Sequence, residues 1–227
     1  MSWWVTDCLS EPNGNVFLGS WIFWIIFSIV IHELSHGWAA IRLGDDTPIH
    51  SGHMTWNPIV HMGYMSLIFL AIIGIAWGAM PVNPNRLRGR YGESIVAIAG
   101  PLSNLGLFLI TSILAVAWLY IGPSFPDHVE QNVYTFLFLG SMLNVVLMIF
   151  NLVPIPPLDG SRIVGDIYPR YKNIWNSEYG AVIGIVAMIA LFTYGSFYIW
   201  RIGTFVTRVA QIPLELLCKT LFGMPPA

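Results

Sequence analysis

The sequence predicts an all-α polytopic membrane protein with about four to six transmembrane helices. A small re-entrant or β-hairpin element is expected between the first two core helices. Three observations lead there. Hydrophobic residues make up 56% of the 227 positions and charged residues 10%, whereas an ordinary soluble domain carries about a quarter charged residues. Mean hydropathy is +0.66. Four stretches are apolar for the roughly 20 residues that a helix needs to cross a bilayer core, and they are separated by turn-rich segments. The expected organisation is one membrane-embedded domain over 1–227, with a core at 17–165 and a C-terminal helix and interfacial segment at 181–223.

The first span, 17–43, lies in a stretch that carries no charge from Val16 to Ile31. Residues 47–58 turn short-period and turn-rich (His50-Ser51-Gly52-His53, Asn57-Pro58), which reads as a hairpin. Residues 64–80 are apolar, marginal in length and interrupted by glycines, so they read as re-entrant or as a poorly defined span. The second and third clear spans are 93–121 and 132–153. Pro154, Pro156 and Pro157 must end the latter, because proline removes backbone donors and keeps its predecessor out of helical geometry. Residues 181–200 make a fourth span. Residues 204–222 mix apolar positions with Arg208, Gln211, Glu215 and Lys219 around Pro213, an amphipathic pattern expected at the membrane surface.

Composition excludes several functions. A net charge of −2 gives nucleic acid nothing to bind. Cys8 and Cys218 are too few for a disulfide framework or a thiolate metal site, though they could pair. The first sixteen residues, with Asp7 and Glu11, do not read as a cleavable signal peptide.

The chemistry begins at His32-Glu33-Leu34-Ser35-His36. Two imidazoles four residues apart share one helical face and can share a zinc ion. Glu33 sits where a carboxylate can take a proton from metal-activated water. Ionisable groups within an apolar helix are costly and point to function. Downstream, Asn151-Leu-Val-Pro154-Ile-Pro156-Pro157-Leu158-Asp159-Gly160 delivers Asp159 on a broken helix. An irregular backbone at membrane depth is tolerated only where protein or a polar cavity surrounds it. Two histidines plus a carboxylate form the ligand set of a catalytic zinc. Asp159 also has a bland reading, as a cap after the prolines. Asn144 reads as polar glue between helices. Asn104 and Asn151 read as glue or as contacts to substrate and site. His50, His53 and His61 read as hairpin or interface residues, with His61 a further candidate for substrate or metal.

With Gly100-Pro101-Leu102-Ser103-Asn104 between them, these two motifs resemble the site-2 protease family of intramembrane zinc metalloproteases. Leu43-Gly44-Asp45, Asn57-Pro58, His61 and Pro81-Val82-Asn83-Pro84 resemble its compact prokaryotic branch. The resemblance covers roughly residues 20–165. It implies one zinc per chain held by His32, His36 and Asp159, with Glu33 as base and membrane proteins as substrates. It also suggests that an extended edge near Met80-Pro81-Val82-Asn83 receives an unwound substrate strand, while Asn104 or Asn151 helps hold the oxyanion. The chain departs from the family at Met62-Gly63, where relatives usually carry an acidic residue and proline. A membrane metal-ion transporter is the alternative function, and an idle membrane scaffold a third. A transporter should spread its ligands along a path; here the polar residues gather at one depth.

Metal geometry also predicts topology. The ligands lie near the far ends of 17–43 and 132–153, so those helices must run in one direction and 93–121 in the other. Arg42, Arg86, Arg88, Arg90, Arg162, Arg170 and Lys172 then share one side, and Asp7, Glu11, Asp127 and Glu130 the other. The positive-inside rule makes the basic side cytoplasmic. A prokaryotic cell membrane, crossed several times with the site open to the cytoplasm, is the expected location.

Overall fold

The computed structural model describes residues 3–10, 13–175, 177 and 179–222; Glu11 lies outside them. Helix α1 (Trp4–Ser10) precedes the long α2 (Gly14–Arg42). Then come α3 (Thr47–His50), α4 (Pro58–Ile73), α5 (Gly92–Ile121) and α6 (Asp127–Asn151). Short helices α7 (Asp159–Ile167) and α8 (Pro169–Trp175) lead to α9 (Gly180–Ala190). A π-helical turn at Leu191–Gly195 joins α9 to α10 (Ser196–Phe222). Four helical runs are long and apolar enough to cross a membrane: Gly14–Arg42, Gly92–Ser124, Asp127–Asn151 and Val182–Thr220.

Side-chain pairings fix the helix directions. Val96 meets His36 and Asn104 meets His32, so α5 runs against α2. Asn104 meets Asn144, Ser112 meets Ser141, and Trp118 meets Glu130, so α6 runs against α5 and along α2. Apolar helices gain little from leaving lipid, and close packing with interhelical hydrogen bonds does the joining. Small and polar residues accordingly fill the seams: Ser28, Thr111, Ser112 and Ser141 are all buried. The Trp24 ring of α2 lies flat over Gly140 of α6, where a Cβ would come within 2.5 Å of it. Its Nε1–H donates to the Phe136 carbonyl at 2.8 Å. Ile29, Met62, Leu70 and Leu143 close the core around it.

The structure does not support the expected re-entrant or β-hairpin element. Among the described residues there is no strand, and 47–50 and 58–73 are helical. The reason lies in start signals that the turn-rich reading passed over. Pro48 opens α3, and Asn57 caps α4 by accepting from the Ile59 N–H at 3.0 Å, with Pro58 in the first helical position. At the family departure, Gly63 takes φ 65° and kinks α4. Gly74 then ends the helix at φ 75°. Residues 75–80 follow without regular secondary structure and return beside it, tied by Ser66 Oγ to both backbone groups of Trp77 and by the Ala79 N–H to the His61 carbonyl.

Residues 204–222, expected as an interfacial segment, are the continuation of α10, which runs unbroken through Pro213. It packs on α5 and α6 with Thr207 and Gln211 buried. The polar positions that suggested a membrane surface thus include helix-packing residues. Cys8 and Cys218 are free thiols.

Candidate metal centre

Helical spacing puts His32 and His36 on the face of α2 that meets α5. The two rings stand edge to face, 4.6 Å between centroids, with their Nε2 atoms 2.9 Å apart. Asp159 enters from the far side. Its delivery follows from the chain break after α6: Pro154, Pro156 and Pro157 prevent helix, and the backbone resumes helical geometry only at Asp159, the first residue of α7. Gly160 permits the close return, since a Cβ there would fall 2.2 Å from the Leu152 carbonyl oxygen. Helix α7 is then held against the start of α5. Asp166 accepts from the Ser94 N–H at 3.0 Å and its hydroxyl at 2.8 Å, and Lys172 pairs with Glu93 at 2.8 Å. Asp159 Oδ2 consequently lies 3.1 Å from His32 Nε2 and 3.2 Å from His36 Nε2.

These three atoms suit a zinc ion. Zinc–ligand bonds of about 2.0–2.2 Å at tetrahedral angles separate the ligand atoms by roughly 3.3–3.5 Å, close to the spacing observed. Each Nδ1 is turned away and engaged: that of His36 on the Val96 carbonyl at 2.7 Å, that of His32 on Asn104 Oδ1 at 2.6 Å. With the protons on Nδ1, both Nε2 atoms are left as lone pairs facing a carboxylate, an arrangement a cation relieves. Space for the ion is preserved by Gly100 of α5, where a Cβ would sit 2.5 Å from both Nε2 atoms. Among the described residues, His32, His36 and Asp159 are the only group of three that could hold a metal.

Glu33 is buried and lines the same cavity of about 690 Å³, together with the ligands, Asn104 and Asn151. Residues 75–80 form the facing wall. At Gly78 the backbone passes so close that a Cβ would meet Glu33 Oε1 at 2.6 Å. Asp45 anchors that segment: buried just beyond α2, it accepts from the Asn83 N–H at 2.7 Å and the Thr47 N–H at 3.1 Å. Burial pushes the Asp45 carboxyl up, but the Thr47 hydroxyl, the Asn83 and Thr47 N–H groups and the Arg86 charge together hold it below the usual carboxylate range.

The other residues singled out from the sequence fall as follows. Asn104 is fully buried, with its carboxamide shared between His32 and Asn144 Oδ1, the latter at 3.0 Å. Asn151 spends its Nδ2 on the Leu147 carbonyl at 3.0 Å and lines the cavity. His61 donates through Nε2 to the Thr55 carbonyl at 2.6 Å and stands outside the metal-capable group. His53 contacts Ser51. Gly78 and Gly100 were given no role by the sequence reading. Gly100 was visible only as part of a motif, and Gly78 only as one of several glycines in a weak span.

The profile described as Peptidase family M50 matches residues 20–194. "Putative zinc metalloprotease YwhC" of Bacillus subtilis is 35% identical over 182 residues, 78% of this chain and 82% of that protein. "Zinc metalloprotease MJ0392" of Methanocaldococcus jannaschii is 27% identical over 188 residues, 82% of this chain but 46% of that protein. No solved structure matches the chain.

Proposed function

The chain belongs to peptidase family M50, the site-2 protease family, and from that premise we propose an intramembrane zinc metalloprotease that cuts membrane segments of other proteins. One observation carries the site assignment. His32 Nε2, His36 Nε2 and Asp159 Oδ2 converge within 3.2 Å of one another in a buried cavity that also holds the Glu33 carboxylate. In this reading His32, His36 and Asp159 hold one zinc per chain. Zinc bound there supplies Lewis acidity and brings the pKa of a water to about 7.

The chain's own residues do the rest. Glu33 takes the proton of the attacking water on its carboxylate and returns it to the leaving amine nitrogen. Asn151, on the cavity wall, offers the second hydrogen of its Nδ2 to the substrate carbonyl. The apolar lining excludes bulk water and strengthens these polar contacts. A substrate helix hides its carbonyls in hydrogen bonds to residues four ahead, so the segment unwinds before attack. The non-helical backbone at 75–82, beside the cavity, offers a place for an added substrate strand. A metal transporter is disfavoured, because among the described residues the metal-capable side chains form one cluster and no path along successive helices.

The orientation proposed is amino terminus outside, with Arg42, Arg86 and Arg162 toward the cytoplasm of a prokaryotic cell, on the positive-inside rule. Cysteines placed at Asp46 and Gly89 should resist an impermeant thiol reagent added outside cells, and one at Asp127 should label; the reverse pattern inverts the orientation. The activity test is cleavage of a membrane-segment peptide by purified protein, with and without a chelator. Cleavage lost with chelator and restored by zinc is expected. Zinc uptake into vesicles without cleavage would replace this reading with transport.

A further inference from the structure

The asparagine that the protein buries most completely without a place in the cavity is Asn144 of α6. It is fully buried, as is Asn104 of α5. Their contacts form one directed chain. His32 Nδ1–H donates to Asn104 Oδ1 at 2.6 Å, Asn104 Nδ2 donates to Asn144 Oδ1 at 3.0 Å, and Asn144 Nδ2 donates to the Gly140 carbonyl at 2.8 Å. The sense of this chain is fixed at its far end. A backbone carbonyl only accepts, so Asn144 must present its amide group to Gly140 and its oxygen to Asn104. That in turn obliges Asn104 to offer oxygen, not nitrogen, to His32. His32 therefore keeps its proton on Nδ1 and its lone pair on Nε2, toward Asp159 and His36. The Trp24 ring over Gly140 holds the terminus, and it is the same ring that ties α2 to α6.

We propose that Asn144 is a positioning residue for the metal centre, setting the tautomer and orientation of His32 through Asn104 across three helices. This rests on the reading of His32 as a zinc ligand. Its logic is polarity: a carboxamide can turn either way round, and only a directional anchor removes the wrong choice. Without Asn144, Asn104 can reverse and offer its NH₂ to His32. The imidazole then moves its proton to Nε2 and loses the ability to bind metal there. Outer partners of ligating histidines typically govern metal affinity by 10–100-fold.

The test uses full-length protein in detergent, loaded with zinc, with two readouts that need no substrate. The first is the rate of zinc loss to an excess of chelator. The second is the ¹⁵N imidazole spectrum of the same protein after its zinc is stripped, which distinguishes Nδ1–H from Nε2–H at His32 once no metal occupies Nε2. Asn144→Leu should speed zinc loss about 10–100-fold and weaken the His32 Nδ1–H signal. Asn144→Asp, which keeps an acceptor facing Asn104, should restore most of the retention. Ser141→Ala is the control, since it removes equally buried contacts between α5 and α6 (to Ser112 and Thr111) that do not lead to His32. It should change zinc loss less than twofold. Equal effects of Asn144→Leu and Ser141→Ala, or an unchanged His32 tautomer in Asn144→Leu, would overturn the proposal and reduce Asn144 to helix packing. Should Asn144→Leu fail to fold, the Asn144→Asp variant decides: a tautomer and zinc-loss rate matching the parent support the relay, and a mixed tautomer overturns it. A parent protein that binds no zinc would instead fail the metal reading itself.

Discussion

The three helices around the metal centre and the long C-terminal helix have the same apolar composition but opposite relations to the rest of the molecule. Over the most apolar 18 residues of α2, α5 and α6, 39, 33 and 44% are buried in the protein; for the most apolar 18 residues of Val182–Thr220 the share is 11%. All four have a mean hydropathy of 2.0 or 2.1, so hydropathy does not separate them. What does is the small and polar content of the inward faces. Ser28, Asn104, Ser112, Ser141 and Asn144 are each buried to within 1%, while the C-terminal run presents Val182, Ile185, Val186 and Ile189 outward. In a bilayer, burial within protein is marked by polarity and closeness, because apolar surface is equally at home against lipid.

That contrast can be broken most sharply at the centre. Glu33→Gln is expected to lower peptide cleavage by at least 10²–10⁴-fold, the usual worth of a general base, with zinc content at one per chain; metal analysis and cleavage on one preparation check it. Asp159→Ala is expected to lose both, since two imidazoles alone make a poor site. Next in size is Gly100→Ala. Its methyl group meets both Nε2 atoms, so zinc occupancy should fall even though every ligand is intact; occupancy equal to the parent would show that α5 yields readily. Away from the site, Leu143→Ala in α6 should cost about 2–5 kcal/mol, as core truncations do, read from thermal or denaturant unfolding in detergent. The smallest effect belongs to the periphery. Ile185→Ala, at a position 63% exposed, should change stability by no more than about 0.5 kcal/mol and leave zinc content untouched. A large loss there would mean that the C-terminal helix is part of the core after all.

Much of this was legible in the sequence because membrane constraints are severe. Length and apolarity located three of the four long helices to within about five residues at each end, since a bilayer tolerates few alternatives; the fourth, expected at 181–200, runs on to Thr220. The metal group could be read from His32, His36 and Asp159 because each is costly at that depth and the prolines before Asp159 leave few structures open. The segment between Arg42 and Gly92 was harder. Asn57-Pro58 signals both a turn and a helix start, and only the capping bond to Ile59 decides. At the other end, Arg208, Gln211 and Glu215 made α10 look amphipathic, yet Gln211 is buried against its neighbours; which polar face meets protein is a tertiary fact. Asn144 shows the limit from another side. Its spacing from Asn151 suggested helix glue, and nothing local tells that its carboxamide leads through Asn104 to His32.

The glycine at position 100 carries a lesson about transferring this chemistry. The familiar part of the motif is a row of side chains, and it is tempting to regard it as portable: write it into any apolar helix and supply an aspartate. Here half of the specification is an empty place on a different helix, with a second at Gly78 opposite the acid. A designer who copied the donors onto a new scaffold, but let alanine or leucine fill the facing positions, would obtain the right letters with no room for the ion. The portable unit is thus a set of donors together with the facing positions left empty, at Gly100 of α5 and at Gly78 in the 75–80 segment.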